Sequence, residues 1–99
     1  MDDEEKLGSP WSILPIKNNK YARDLTEVHL SGRNLTGLEH FEQFPNLEEI
    51  WLSNNKLQSL DDIKSNFRCK KVVCQNNMVE NINGLKNFKF LDTLLLGNN

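Results

Sequence analysis

Few side chains in this sequence combine the type and the spacing that chemistry needs. His29 and His40 stand apart, with no cysteine or second histidine at metal-ligand spacing around either. Cys69 and Cys74 lie five residues apart on one segment expected to be extended, which holds their Cα atoms beyond the roughly 7 Å limit for a disulfide. Both fall in an apolar pattern, so core packing is the expected role for each, in place of nucleophile or ligand. Asp61–Asp62 suits the start of a short helical turn, where negative charge complements exposed N–H groups. No glycine-rich phosphate loop, G-x-S-x-G or H-E-x-x-H occurs. The expectation is no enzyme, no cofactor and no metal. What recurs at a chemically meaningful interval is asparagine. Asn55, Asn77 and Asn99 are each 22 residues apart, and their short amides can bond backbone groups buried in a turn.

That interval belongs to a larger pattern. The run from Leu47 to Leu60 reads L-x-x-I-x-L-x-x-N-x-L-x-x-L, with Leu47, Ile50, Leu52, Asn55, Leu57 and Leu60 in the marked places. One period earlier stand Leu25, Val28, Leu30, Leu35, Leu38 and Phe41, and the middle repeat continues to Ile63. One period later come Cys69, Val72, Cys74, Val79, Ile82 and Leu85, and then Leu91, Leu94 and Leu96. Asn55 apart, all 21 of these places are apolar or cysteine, in a chain that is 37% hydrophobic, so the apolar residues are concentrated where they can be buried. A short strand is expected around positions 3 to 5 of each repeat, then a turn, then a short helical or 3₁₀ segment. The helical sets are Leu38/Phe41/Phe44, Leu60/Ile63/Phe67 and Ile82/Leu85/Phe88. The second is offset, with Asn66 where the register expects Phe. The first repeat has Arg33 in place of the asparagine, which makes its turn either irregular or more solvated.

These residues resemble the leucine-rich repeat family, in particular intracellular members of the short 22-residue class also found in a protein-phosphatase regulator and in proteins with ciliary associations. The resemblance covers Leu25 to Asn99. It implies an α/β leucine-rich repeat solenoid, with short parallel strands on a concave face and short helical or 3₁₀ segments on a convex face. It also implies that the concave face binds other proteins.

The expected organisation is a disordered acidic tail over residues 1–8, an N-terminal cap over 9–24, and repeats over 25–46, 47–68, 69–90 and 91–99. The tail opens with Asp2, Asp3, Glu4 and Glu5. The cap carries Trp11, Ile13, Leu14 and Ile16, and its two prolines, Pro10 and Pro15, argue against a long helix. The last repeat stops short, so the array is read as incomplete. A net charge of −2 argues against nucleic-acid binding driven by bulk charge. The N-terminus lacks a signal-peptide pattern, and no apolar run approaches a membrane span. With two free thiols, this points to the cytoplasm, with the cilium and the nucleus both compatible. Asn34-Leu35-Thr36 fits a glycosylation sequon but reads as a coincidence in that compartment.

If the strands stack in register, the residues between the inward positions form ladders. Position 5 gives His29, Trp51, Val73 and Leu95, an outward and largely apolar strip. Beside it run Glu27, Glu49 and Lys71 at position 3, and Glu48 and Lys70 at position 2. An aromatic at the centre of an apolar strip with charged flanks resembles an interface core and rim. Trp51 can equally pack on His29 and Val73, and the acidic and basic residues can pair with one another. The expected function is a non-catalytic protein-interaction module. The alternatives are a structural subunit of an axonemal or ribonucleoprotein assembly, or a phosphatase-regulatory subunit.

Overall fold

The computed structural model describes residues 4–99. Four three-residue strands make one parallel sheet in the order β2 (Glu27–His29), β4 (Glu49–Trp51), β5 (Lys71–Val73) and β6 (Thr93–Leu95). Each residue pairs with the one 22 positions later: Val28 with Ile50, Ile50 with Val72, and Val72 with Leu94. The strands occupy positions 3 to 5 of their repeats. Val28, Ile50 and Val72 at their centres are fully buried, as β-branched residues suit the pleat.

Each of the first three strands leads into a turn and then a single 3₁₀ turn on the opposite side, at Phe41–Gln43, Asp61–Ile63 and Asn83–Leu85. The core lies between these two sides and is built from Leu30, Leu35, Leu47, Leu52, Leu57, Leu60 and Ile63 with their equivalents. Gly84 lets neighbouring coils approach closely, since a Cβ there would sit 2.5 Å from the Leu60 carbonyl oxygen. In the turns, Gly32, Asn54, Asn76 and Asn98 all adopt positive φ, a conformation for which glycine and asparagine carry the smallest penalty. The three asparagines also join side by side. Asn76 Nδ2 donates to Asn54 Oδ1 and Asn98 Nδ2 to Asn76 Oδ1, both at 2.8 Å.

The N-terminal segment departs from the expected tail. Asp2 and Asp3 lie outside the described residues, and Glu4 and Glu5 are exposed. Leu7–Gly8, however, forms β1, which pairs in parallel with β3 (Gly37–Leu38) in a second, two-stranded sheet. Leu7 and Gly8 are therefore strand, and the Lys6 backbone is already bonded to Thr36. The physical reason is at Gly8, which is buried against Leu35 at a place where any Cβ would collide with that side chain. Ser9 caps a 3₁₀ turn at Pro10–Ile13, accepting the Trp11 N–H with proline at the first helical position. Trp11 packs edge-on against Phe44, with centroids 4.8 Å apart, and its indole N–H donates to Gln43 Oε1 at 2.8 Å. A six-residue helix, α1 (Asn19–Asp24), is capped by Asn18 and buries Ala22 before β2 begins.

Two expected inward residues lie outside. Phe67 is 50% exposed, because Asn66, not Phe67, stands 22 residues from both Phe44 and Phe88 and takes the inward place between them. Asn66 Nδ2 donates to the carbonyls of Phe41 and Phe44 at 3.0 Å each, tying down the end of the preceding 3₁₀ turn. Its Oδ1 is the one fully buried side-chain polar atom without a partner among the described residues. Ile82 is 44% exposed, since residues 91–99 add a strand beside it but no further 3₁₀ turn.

Candidate functional site: the strand face

The outer face of the four-stranded sheet carries the residues singled out in the sequence, and the parallel register sets them in two rows. Glu27, Glu49, Lys71 and Thr93 form one row, and His29, Trp51, Val73 and Leu95 the other. The His29 ring stacks on Trp51, with centroids 5.2 Å apart and planes 20° from parallel. Lys71 Nζ lies 4.5 Å from the centroid of the Trp51 ring, within cation–π range. Trp51 Nε1–H donates to Glu49 Oε1 at 3.1 Å, and His29 Nε2 lies 3.2 Å from Glu27 Oε1.

Trp51 is thus held on several sides and still only partly buried, so part of its side chain remains open to a partner. Its orientation is fixed by contacts that span three adjacent rungs. A partner that docks on it does not have to order it, which removes one entropic cost of binding. Lys70 Nζ sits 4.0 Å from Glu48 Oε1, a distant and solvated pair of small energetic weight.

Val73 corrects the expected open strip. It is only 4% exposed, because the larger side chains of Trp51 and Leu95 flank it in the same row. Position 5 therefore offers two accessible patches, His29–Trp51 and Leu95, separated by a recessed valine. Leu95 is exposed.

The structural asparagines face inward beneath this sheet's exit. Asn55 Oδ1 accepts the N–H groups of Arg33 and Leu35 at 2.9 and 3.0 Å, while its Nδ2 donates to the Leu30 and Leu52 carbonyls at 3.0 and 2.9 Å. Asn77 links Leu57 N–H to the Leu52 carbonyl, and Asn99 links Val79 N–H to the Cys74 and Leu96 carbonyls. At Arg33 the first turn lacks an inward amide, its backbone N–H donating to Asn55 instead; Arg33 and Asn34 are exposed and Asn34 adds a left-handed residue, so the turn is both irregular and more solvated.

Cys69 and Cys74 are fully buried and unpaired with each other. Burial pushes both thiols up from 9.0 to about 11, against backbone hydrogen bonding that pulls Cys69 back. In the unfolded chain the thiols ionise first, so the folded state holds protons that the unfolded state has lost. Stability falls as pH rises from about 9 towards 11, by up to about 1.4 kcal/mol per pH unit for each thiol. Urea titrations at several pH values should show a steeper loss for the native sequence than for Cys69→Ala/Cys74→Ala. Equal slopes would show that the thiols do not contribute. Among the described residues no cluster of His, Cys, Asp or Glu could hold a metal ion.

One contact had no signal in the sequence. Ser9 Oγ lies 3.0 Å from His40 Nδ1, joining residues 31 apart and pinning the N-terminal segment to the first repeat. His40 has φ 68°, a left-handed conformation uncommon for a residue with a side chain. Since Ser9 Oγ also accepts a capping N–H, the pair is accounted for as a structural clasp.

Residues 23–65 match the family model described as Leucine Rich repeats (2 copies). That segment is similar to leucine-rich repeats, a family whose members generally mediate protein–protein interaction. The same 22-residue register runs on unbroken through β5 and β6. No curated protein matches the chain. No helix among the described residues is long and apolar enough to cross a membrane.

Proposed function

We propose that this protein is a non-catalytic interaction module that binds a protein partner on the concave strand face of its repeats, with Trp51 at the centre of the contact. The observation that carries this reading is the clamped, half-open indole. His29 stacks on it, Lys71 lies over it and Glu49 takes its N–H, so a large aromatic is presented in one orientation on a rigid sheet. Pre-ordered aromatics ringed by charge are the usual anchors of protein interfaces. The charged residues Glu27, Glu48, Glu49, Lys70 and Lys71 form the rim, and Leu95 a second apolar point. A helical or extended segment of the partner would cross the rungs and bridge the two patches over Val73.

The resemblance to intracellular repeat proteins of the 22-residue class gives the reading a narrower form. We read the runs WLSNNKL and LDTLLLGNN as resembling leucine-rich repeat-containing protein 72 and related proteins with ciliary associations, and on that reading the partner is to be sought in the cytoplasm and the cilium. Membranes and nucleic acid play no direct part in this reading.

The test is a quantitative pull-down from ciliated-cell lysate with the native sequence and Trp51→Ala side by side, once circular dichroism shows both folded. For the partner retained by the native protein, Trp51→Ala should weaken binding by about 2 kcal/mol or more in a purified titration. Unchanged affinity would move the interface away from this face.

A further inference from the structure

A second surface lies at the other edge of the coils, where the 3₁₀ turns lead back towards the strands. In the second repeat the exposed places of this edge are Lys64, Ser65, Phe67 and Arg68, and in the third they are Lys86, Asn87, Lys89 and Phe90. These eight surface places over two adjacent rungs thus hold four cations and two phenyl rings, with the exposed carboxylates Asp61, Asp62 and Asp92 at their flanks. The first repeat places Glu42, Gln43, Pro45 and Asn46 there, so the basic and aromatic character is no general property of the fold.

Phe67 and Phe90 are 50% and 62% exposed and, with Asn87 and Lys89, line an open notch of about 340 Å³. Asn66 in the inward place explains why Phe67 turns out. It does not explain why Phe90 is also outward, or why cations surround both. Phe67 has a complete repeat on each side, so its exposure is a property of the stack's interior. Among the described residues the ion pairs involve Lys20, His29, His40 and Lys70, and none includes these four cations. Lys64 and Lys86 occupy the same place on adjacent rungs, where like charges repel. Such a patch costs stability in isolation and is relieved by a negatively charged occupant.

We propose that this edge docks an acidic segment of a protein partner, which inserts one large apolar side chain into the notch between Phe67 and Phe90 while its carboxylates face Lys64, Arg68, Lys86 and Lys89. The volume is at the small end for ligand pockets, which suits a single side chain. Charge complementarity selects the acidic segment. Single-stranded nucleic acid would use the same cations and stack its bases on the phenyl rings, and the experiment separates the two.

A random 12-residue peptide library is selected on the native 99-residue chain and, in parallel, on Phe67→Ser/Phe90→Ser. The peptide most enriched on the native protein is labelled and titrated by fluorescence anisotropy at 0.15 M salt, beside a labelled 12-nucleotide oligouridylate. The enriched peptides are expected to be acidic with one or two large apolar residues. Phe67→Ser/Phe90→Ser should weaken their binding at least tenfold, as should Lys64→Glu/Arg68→Glu, while Trp51→Ala leaves it unchanged. Peptides without net negative charge, or binding indifferent to the Phe67 and Phe90 substitutions, would overturn the proposal. So would oligouridylate binding tighter than the peptide. Loss on Trp51→Ala would assign the peptide to the strand face and overturn the edge site, whereas failure of the edge site alone leaves the strand-face reading standing.

Discussion

Asn55→Ala is expected to cost about 3–5 kcal/mol, read as a drop in the unfolding free energy from urea titration followed by circular dichroism. One amide serves four backbone groups: the N–H groups of Arg33 and Leu35 and the carbonyls of Leu30 and Leu52. Each group left buried without a partner costs about 1–3 kcal/mol, reduced where water reaches the turn. Since a domain of this size is stable by about 5–15 kcal/mol, one amide carries a sizeable share of the whole. Lys56→Ala, next door but exposed, serves as the control and should change stability by less than about 0.5 kcal/mol. A shift below about 1 kcal/mol for Asn55→Ala would show that water replaces the amide without loss.

Leu52→Ala is the second large effect, at about 2–5 kcal/mol, from lost transfer energy and the cavity left in a fully buried place. It stands beside Trp51 in the chain but faces the other way. The two substitutions should therefore separate cleanly. Leu52→Ala lowers the denaturation midpoint and leaves partner affinity of the folded protein unchanged, while Trp51→Ala lowers affinity and leaves most of the stability. If both substitutions moved both quantities equally, the two faces of the sheet would not be independent.

The reason this division could be seen in the sequence is the period. Once Leu47, Ile50 and Leu52 are aligned with residues 22 positions away, alternation along a strand decides which neighbours face out. Strand positions, the 3₁₀ turns and the inward asparagines all follow from that register. What the period could not carry is what lies off it. The pairing of Leu7–Gly8 with Gly37–Leu38 depends on a single close approach at Gly8, which leaves no pattern in composition. The burial of Val73 depends on the sizes of its neighbours in the row and not on its own place. Phe67 misled because apolar residues at helical spacing read as inward, although simple addition from Phe44 to Phe88 passes through Asn66. The clamp around Trp51 was half legible. Its stacking neighbour and the charges were placed in adjacent rows, but the Lys71 contact and the Glu49 bond needed coordinates.

The joined side chains of Asn54, Asn76 and Asn98 also bear on how the chain reaches this state. Every contact that stitches one coil to the next, these amides included, joins residues about one period apart. The loop closed at each rung is the same length, so its entropy is incurred in equal instalments and does not grow with the number of coils. Such a chain folds by nucleation at one coil and growth along the stack, like a zip fastener. Its rate then depends on the best local nucleus, wherever in the stack that lies.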